Sequence, residues 1–575
     1  MTGAFQVTGT SQKALFTLKL HRGDGMSLVA MNWKKGTPPR DFVGFAIEYK
    51  EPGGDRFFAL KNRLCFPFAD GSVNPNKLST RLSPIQKFRW IHFPRNAELA
   101  GEFTYNVSPV FMNAKGELSY GEPQEAAIEL RRETYPGKLN VAFTRGFVSS
   151  QAFVDKYGAA SIPTLLPANA DGGLDFVPTF AKAAEALAWM GFEARSAIIE
   201  LLDQAIADPG AQVRAVVYDL NEPGMVSRYT KLGSRLKIII DDDGAHGKPT
   251  SGETVSARRL AAAGVQVKRQ HMGKLQHNKF IVVDGPTVQV AVAGSTNHSW
   301  RGFFVQNNNA MILRGPKVAK IFMDAFDQYS AHDDVAGFAK TGSAVWNDLQ
   351  LAGIDGQIGF SPRSKKNAVL KSVADDLGSA ESSVLFSLAF LSITPGPVVE
   401  AIKKLKQDDA VFSYGIADKV VKGLNGKSAT GVSLQQPDGK VTLVRPEALT
   451  RDVPAPFKKE PTGGGGTRMH HKFIVIDFDK PTARVYLGSF NFSASADTSN
   501  GENLLLFKDR RIATSYAVEA LRIFDHYQFR VAQAEAKEAH KPLQLQPAPA
   551  TNSEKPWWQE DYTNARKILD RKLFA

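Results

Sequence analysis

The sequence predicts a multidomain α/β protein: an all-β sandwich followed by two α/β halves that share one site. Three observations carry this. Short alternating or aromatic runs crowd the first 138 residues. From about residue 139, strand-like and helix-like runs alternate. One pattern, His-x-Lys-x4-Asp followed by Gly-Ser-x-Asn, occurs twice, starting at His277 and His470, 193 residues apart. With 575 residues the chain exceeds what one core holds.

In residues 1–138 the strand runs are Ala14–His21, Met26–Trp33, Phe42–Tyr49, Arg56–Leu60, Lys87–Phe93, Glu102–Met112 and Glu125–Arg131. Turns such as Arg22-Gly23-Asp24-Gly25 and Pro52-Gly53-Gly54 separate them, which predicts a β-sandwich. Gly101-Glu102-Phe103-Thr104-Tyr105-Asn106-Val107 resembles the tyrosine-corner strand of fibronectin type III-like domains. His21 and His92 stand alone and read as structural or surface residues.

Residues 139–345 form the first half. Strands are expected at Leu139–Phe147, Val213–Leu220, Leu236–Ile240, Val265–Val267 and Val288–Ala293, and helices at Phe180–Gly191, Ala194–Ala207 and Val318–Ala331. Residues 346–540 repeat the order. Strands are expected at Gln357–Phe360, Ser383–Phe390, Ala410–Ala417, Val441–Val444 and Ala483–Tyr486, and helices at Pro397–Leu405 and Ile512–Ala532. This reads as a tandem duplication about a pseudo-twofold axis. Residues 541–575 comprise a Pro- and Gln-rich linker and an amphipathic stretch, Tyr562–Phe574, entered through Trp557-Trp558. Either the tryptophans clamp that helix to the body, or its Arg566, Lys567, Arg571 and Lys572 rest it on a membrane surface.

The net charge of +13 and pI of about 9.4 favour anionic partners: phospholipid headgroups or nucleic acid. The single cysteine, Cys65, excludes an intrachain disulfide and a Cys-rich metal site. No signal-like or membrane-spanning run occurs. The expectation is a cytoplasmic protein, or one exported without a classical signal peptide. With both motifs in one chain it is expected to be monomeric.

Alternate residues of a strand share a face, so His277 points with Lys279 and His470 with Lys472. Phe280–Val283 and Phe473–Ile476 are apolar on both faces, the mark of a central strand. Asp284 and Asp477 have the other parity and are expected to fix local structure. Ser295, Asn297, Ser489 and Asn491 supply neutral hydrogen-bonding groups for a phosphate. Two lysines hold its oxygens, one imidazole attacks phosphorus, and the other protonates the leaving oxygen. The lysines oppose a cation, so neither metal nor other cofactor is expected. Asp241-Asp242-Asp243-Gly244 lacks EF-hand spacing and reads as a turn.

The paired motifs resemble the phospholipase D superfamily over roughly residues 139–535. The resemblance implies that family's α/β fold, a phosphohistidine intermediate and no cofactor. It makes His277 the nucleophile and His470 the general acid, with Lys279, Lys472, Asp284 and Asp477 completing the catalytic signature. It also implies residues that orient the opposite histidine, at Gln306 for His470 and Glu502 for His277. The expected activity is a metal-independent phosphodiesterase, with phospholipid hydrolysis or transphosphatidylation first and an endonuclease second. A catalytically inactive scaffold is the third reading. His471 is expected to face the sheet interior; His271 and His298 lie near the first motif without a second-half partner. Lys458–Arg468, with four glycines, reads as a basic lid, and Lys268, Arg269 and Lys274 flank the first motif similarly.

Overall fold

The computed structural model describes residues 3–67, 78–131, 133–146, 153, 156–168, 172–391, 394–418, 421, 432–435, 441–444, 469–541 and 543–575. The expected lid at Lys458–Arg468 lies outside them.

The first 130 residues form strands β1 (Gln6–Thr8), β2 (Phe16–Arg22), β3 (Ser27–Trp33), β4 (Phe42–Lys50), β5 (Phe58–Ala59), β6 (Arg89–His92), β7 (Glu102–Met112), β8 (Leu118–Tyr120) and β9 (Gln124–Glu129). They make two antiparallel sheets, β1-β2-β3-β6 and β5-β4-β7-β8, with β9 also on β7. Phe16, Leu18, Phe42, Phe45, Phe103 and Tyr105 fill one core between them. The Tyr105 hydroxyl meets His92 Nδ1 at 3.0 Å. A buried phenol needs a partner, and here an imidazole supplies it.

The first half adds β10 (Leu139–Phe143), β11 (Gln212–Val217), β12 (Leu236–Ile240), β13 (Gln266–Arg269), β14 (Lys279–Asp284), β15 (Gln289–Gly294) and β16 (Asn309–Arg314). Their order is β10-β16-β15-β14-β11-β12-β13. The second half adds β17 (Asn347–Asp348), β18 (Asp355–Ser361), β19 (Ser383–Leu388), β20 (Phe412–Ala417), β21 (Val432–Gln435), β22 (Val441–Val444), β23 (Lys472–Ile476), β24 (Arg484–Gly488) and β25 (Glu502–Lys508). The order there is β17-β18-β25-β24-β23-β19-β20-β21-β22. The stretches β16-β15-β14-β11-β12 and β25-β24-β23-β19-β20 are laid out alike, and each motif strand runs through the middle of its sheet. Phe280–Val283 and Phe473–Ile476 are fully buried, as two-sided apolar strands must be.

Where two helices were expected between residues 180 and 207, one element, Ala183–Ala207, kinks at Phe192 (φ 46°). The helices Pro223–Leu232, Gly252–Ala262 and Ala368–Gly378 were not expected. Gly252–Ala262 buries only Gly252, Glu253, Ser256 and Leu260, so it carries no apolar stripe to read.

The membrane-surface reading of the C-terminal helix is corrected, because its apolar face is already occupied. The helix spans Ala565–Phe574. Phe574 is 1% exposed and stacks on Phe478 at 5.2 Å, and its carbonyl meets His21 Nε2 at 2.5 Å. Trp557 stacks on Phe88 at 5.3 Å, and Trp558 lies in the sandwich core. Arg89 bridges Asp570 and Asp525 at 2.9 Å each, joining sandwich, terminal helix and second half. Phe574→Ala is expected to destabilise the protein by about 3 kcal/mol, read as a lower midpoint in denaturant unfolding. No helix among the described residues is long and apolar enough to cross a membrane.

Candidate active site

The site lies where the beginnings of β14 and β23 meet. The rings of His277 and His470 are 6.4 Å apart, and both residues are 4% exposed. The halves cross-brace this point. Gln276, before the first histidine, pairs with Gly501; Met469, before the second, pairs with Asn307.

His277 Nδ1 donates to Glu502 Oε2 at 2.8 Å. His470 Nδ1 donates to Asn308 Oδ1 at 2.7 Å, and Asn308 Nδ2 donates to the Gly302 carbonyl, which fixes the amide's orientation. Both imidazoles therefore carry their proton on Nδ1 and keep Nε2 for chemistry. The expected partner Gln306 is corrected to Asn308. Both orienting residues stand 13 positions beyond the serine of their Gly-Ser pair, Ser295 to Asn308 and Ser489 to Glu502. That spacing was readable. The backbone carbonyl of Gln306 accepts from Thr144 Oγ1 at 2.7 Å.

The serines are also corrected. Both are fully buried and hold the orienting residues: Ser295 Oγ donates to Asn308 Oδ1 (3.0 Å), and Ser489 Oγ to Glu502 Oε2 (2.7 Å). Gly294 (φ 149°) and Gly488 (φ 145°) make this approach possible, because a Cβ would collide with the carbonyls of Asn309 and Asn503. Asn297 donates to Asp219 Oδ2 at 2.8 Å, and Asn491 is half-buried.

The motif aspartates do not reach the site, which corrects their catalytic assignment. Each sits five residues beyond its lysine, roughly 16 Å along the strand. Asp284 is exposed and accepts from Gln289. Asp477 is buried and accepts from the backbone N–H groups of Glu381, Ser382 and Ser383, anchoring the start of β19.

Lys279 Nζ donates to the His277 carbonyl (2.5 Å) and Lys472 Nζ to that of His470 (2.7 Å). Both lysines are buried. Burial pulls Lys279 down to about 8, against the pull of Glu502, Asp219 and Asp241. Burial and the neighbouring Lys279 hold Lys472 well below its usual value. His277 is lowered by burial, with Glu502 opposing, and His470 is lowered well below its usual value by burial, Lys472 and Lys279. Both shifts favour the neutral imidazole.

No motif marks the aromatic lining of the site. Tyr218 lies 4.7 Å from His277 and under Lys279 Nζ at 4.6 Å. Phe390 lies 6.3 Å from His470 and under Lys472 Nζ at 5.7 Å. His471 faces inward, bonded to Glu519 at 3.0 Å, and Glu519 is held by Arg522. His298 is buried against Tyr229, and exposed His271 meets Asp242. Among the described residues one group, Asp219, His246 and Glu253, brings metal-ligand atoms within 4.8 Å of one another.

Paired α/β sheets that bring two His-x-Lys strands to one point define a two-histidine class of protein. A family model described as "Cardiolipin synthase, PLD-like domain" matches residues 192–330 and 373–524, just over half of the chain. The chain belongs to this phospholipase D-like family. It is 31% identical over 96 residues to a mitochondrial cardiolipin hydrolase of Chlamydomonas reinhardtii, covering 17% of this chain and 40% of that one. It is 51% identical over 47 residues to a phospholipase D of Rickettsia prowazekii, covering 8% of this chain and 21% of that one. The solved phosphatidylserine synthase of Haemophilus influenzae is similar with a TM-score of 0.41 at 13% identity, covering 61% of this chain and 93% of that chain. The chain thus spans less than half the length of these two curated relatives.

Proposed function

We propose that this chain is a metal-independent phosphodiesterase of the phospholipase D superfamily, built from two duplicated halves behind a fibronectin type III-like sandwich, and that it acts on phospholipid headgroup esters. The observation that carries the reading is the pair of imidazoles 6.4 Å apart, each with Nδ1 engaged by a residue of the opposite half. Rings that close together can both reach the oxygens and phosphorus of one bound phosphodiester.

In the first step His277 Nε2 attacks phosphorus and His470 delivers a proton to the departing alcohol. In the second, His470 takes a proton from water or an acceptor alcohol, which displaces His277; the former is hydrolysis and the latter transphosphatidylation. Glu502, a carboxylate, stabilises the cationic phosphohistidine, whereas neutral Asn308 leaves His470 readier to give up its proton. The bound phosphate's negative charge offsets the lysines and lets His470 hold that proton. Lys279 and Lys472 stabilise the added charge at phosphorus.

One further observation favours lipid over nucleic acid. Of the expected basic flank Lys268, Arg269 and Lys274, the first two are spent on Asp333 and on the carbonyls of Ile240, Asp241 and His246. The names of the curated relatives point the same way.

The test is headgroup release from phosphatidylcholine and cardiolipin vesicles, plasmid cleavage, and hydrolysis of bis(p-nitrophenyl) phosphate, all in EDTA. Lipid and chromogenic turnover without DNA cleavage is the expected result. DNA cleavage alone would transfer the assignment to a nuclease, and no turnover of any substrate would leave a binding scaffold. Activity abolished by chelation would sink the metal-free mechanism. kcat/KM is expected to fall as pH rises past about 8, because Lys279 then loses the proton that makes it a phosphate ligand. In Lys279→Arg the alkaline limb should move upward, since a guanidinium stays charged.

A further inference from the structure

The first half carries a charge arrangement that does not recur among the described residues of the second. Val217 pairs with Lys279 as Leu388 pairs with Lys472, so Asp219 and Phe390 occupy equivalent positions two residues further on. Where the second half puts a ring, the first puts a carboxylate, 21% exposed beside its lysine. Asp219 uses one oxygen for Asn297 Nδ2 (2.8 Å) and the other for His246 Nε2 (3.2 Å). His246 Nδ1 is held by Asp241 Oδ2 at 2.8 Å. Asp241 is fully buried, and its other oxygen accepts from the N–H of Gln276, the residue before His277. Burial works against a charge on His246, but the two carboxylates raise it to about 10.

Asp219 lies close enough to Lys279 to act on its charge. A carboxylate left alone there would turn towards the ammonium and offset the positive charge that a phosphate needs. An imidazolium between Asp219 and Asp241 cancels that effect and holds the second oxygen on Asn297.

We propose that His246 is a positioning and charge-masking residue. Ion-paired with Asp219, it keeps that carboxylate on Asn297 and off Lys279, so the first-half lysine can hold an anionic phosphate. This rests on the reading that the site binds a phosphodiester. Glu253 is near enough to complete a metal-ligand set, but one of its oxygens already accepts from the Leu220 N–H at 3.0 Å, and both imidazole nitrogens face carboxylates. The arrangement reads as an ion-paired imidazolium.

The experiment compares wild type, His246→Gln, Asp219→Asn and the double variant. It measures inorganic phosphate affinity by calorimetry, kcat and KM on bis(p-nitrophenyl) phosphate, thermal melting, and bound divalent metal by elemental analysis. His246→Gln is expected to weaken phosphate binding and raise KM by about tenfold, with kcat within about threefold. Adding Asp219→Asn should recover most of that loss, because the unmasked charge is gone. A purely structural role predicts no such recovery. Unchanged phosphate affinity in His246→Gln overturns the proposal, as does a loss that Asp219→Asn does not repair. A stoichiometric divalent cation in the wild type that His246→Gln releases also overturns it. If wild type binds phosphate but cleaves no diester, the enzymatic reading fails while the phosphate comparison still decides the role of His246. If wild type binds no phosphate, both fail.

Discussion

His277→Asn is expected to abolish turnover and His470→Asn to divide it in two. With bis(p-nitrophenyl) phosphate the leaving group needs no proton. His470→Asn should therefore release one p-nitrophenolate per protein in a burst and then stall, since nothing activates the water. The steady-state rate should fall by about 10²- to 10⁴-fold. His277→Asn should give no burst and lose roughly 10⁴-fold or more, because the attacking atom is gone. Rapid-quench kinetics and mass spectrometry of the stalled protein check both, with the added phosphoryl group on His277. A burst from His277→Asn with phosphate on His470 would exchange the two roles. The assignment rests on an asymmetry in the structure, a carboxylate on one imidazole and an amide on the other.

The same asymmetry gives the second large effect. Glu502→Gln keeps the shape and removes the charge that steadies His277 as it becomes a cationic phosphohistidine. kcat is expected to drop by about 10²- to 10⁴-fold. Asn308→Ala removes one neutral hydrogen bond from His470, and about tenfold is expected. The ratio of the two is the informative quantity. Equal losses would mean that the partners only hold the rings in place.

Much of this was legible in the sequence because strand geometry is simple. Parity put each His beside its Lys, and two-sided apolar filling marked β14 and β23 as central. The family resemblance pointed to Glu502, and the equal spacing from the two serines carries the information that places Asn308. The serines were misread because the sequence cannot say which way a side chain turns after a strand-ending glycine. Asp219 and His246 were not legible at all. They stand 58 and 31 residues before His277, have no counterpart among the described residues of the second half, and meet only once β11 and the turn after β12 lie side by side. The C-terminal helix was ambiguous for a related reason. An amphipathic stripe records that one face is covered, and Phe478, Phe412 and His21 cover it here.

The cross-bracing of the halves has a consequence for how activity is won and lost. His277 takes its partner from β25, and the residue before His470 pairs with the one before Asn308. Asn503 also donates across the seam to Asn278 at 3.0 Å. Neither His277 nor His470 takes its Nδ1 partner from its own half. Competence is therefore a property of the joint between the halves. A chain folded in one half only would carry a complete motif and neither a tuned nucleophile nor a tuned acid, so an unfinished protein would be silent towards the cell's own phosphodiesters until its second half had docked.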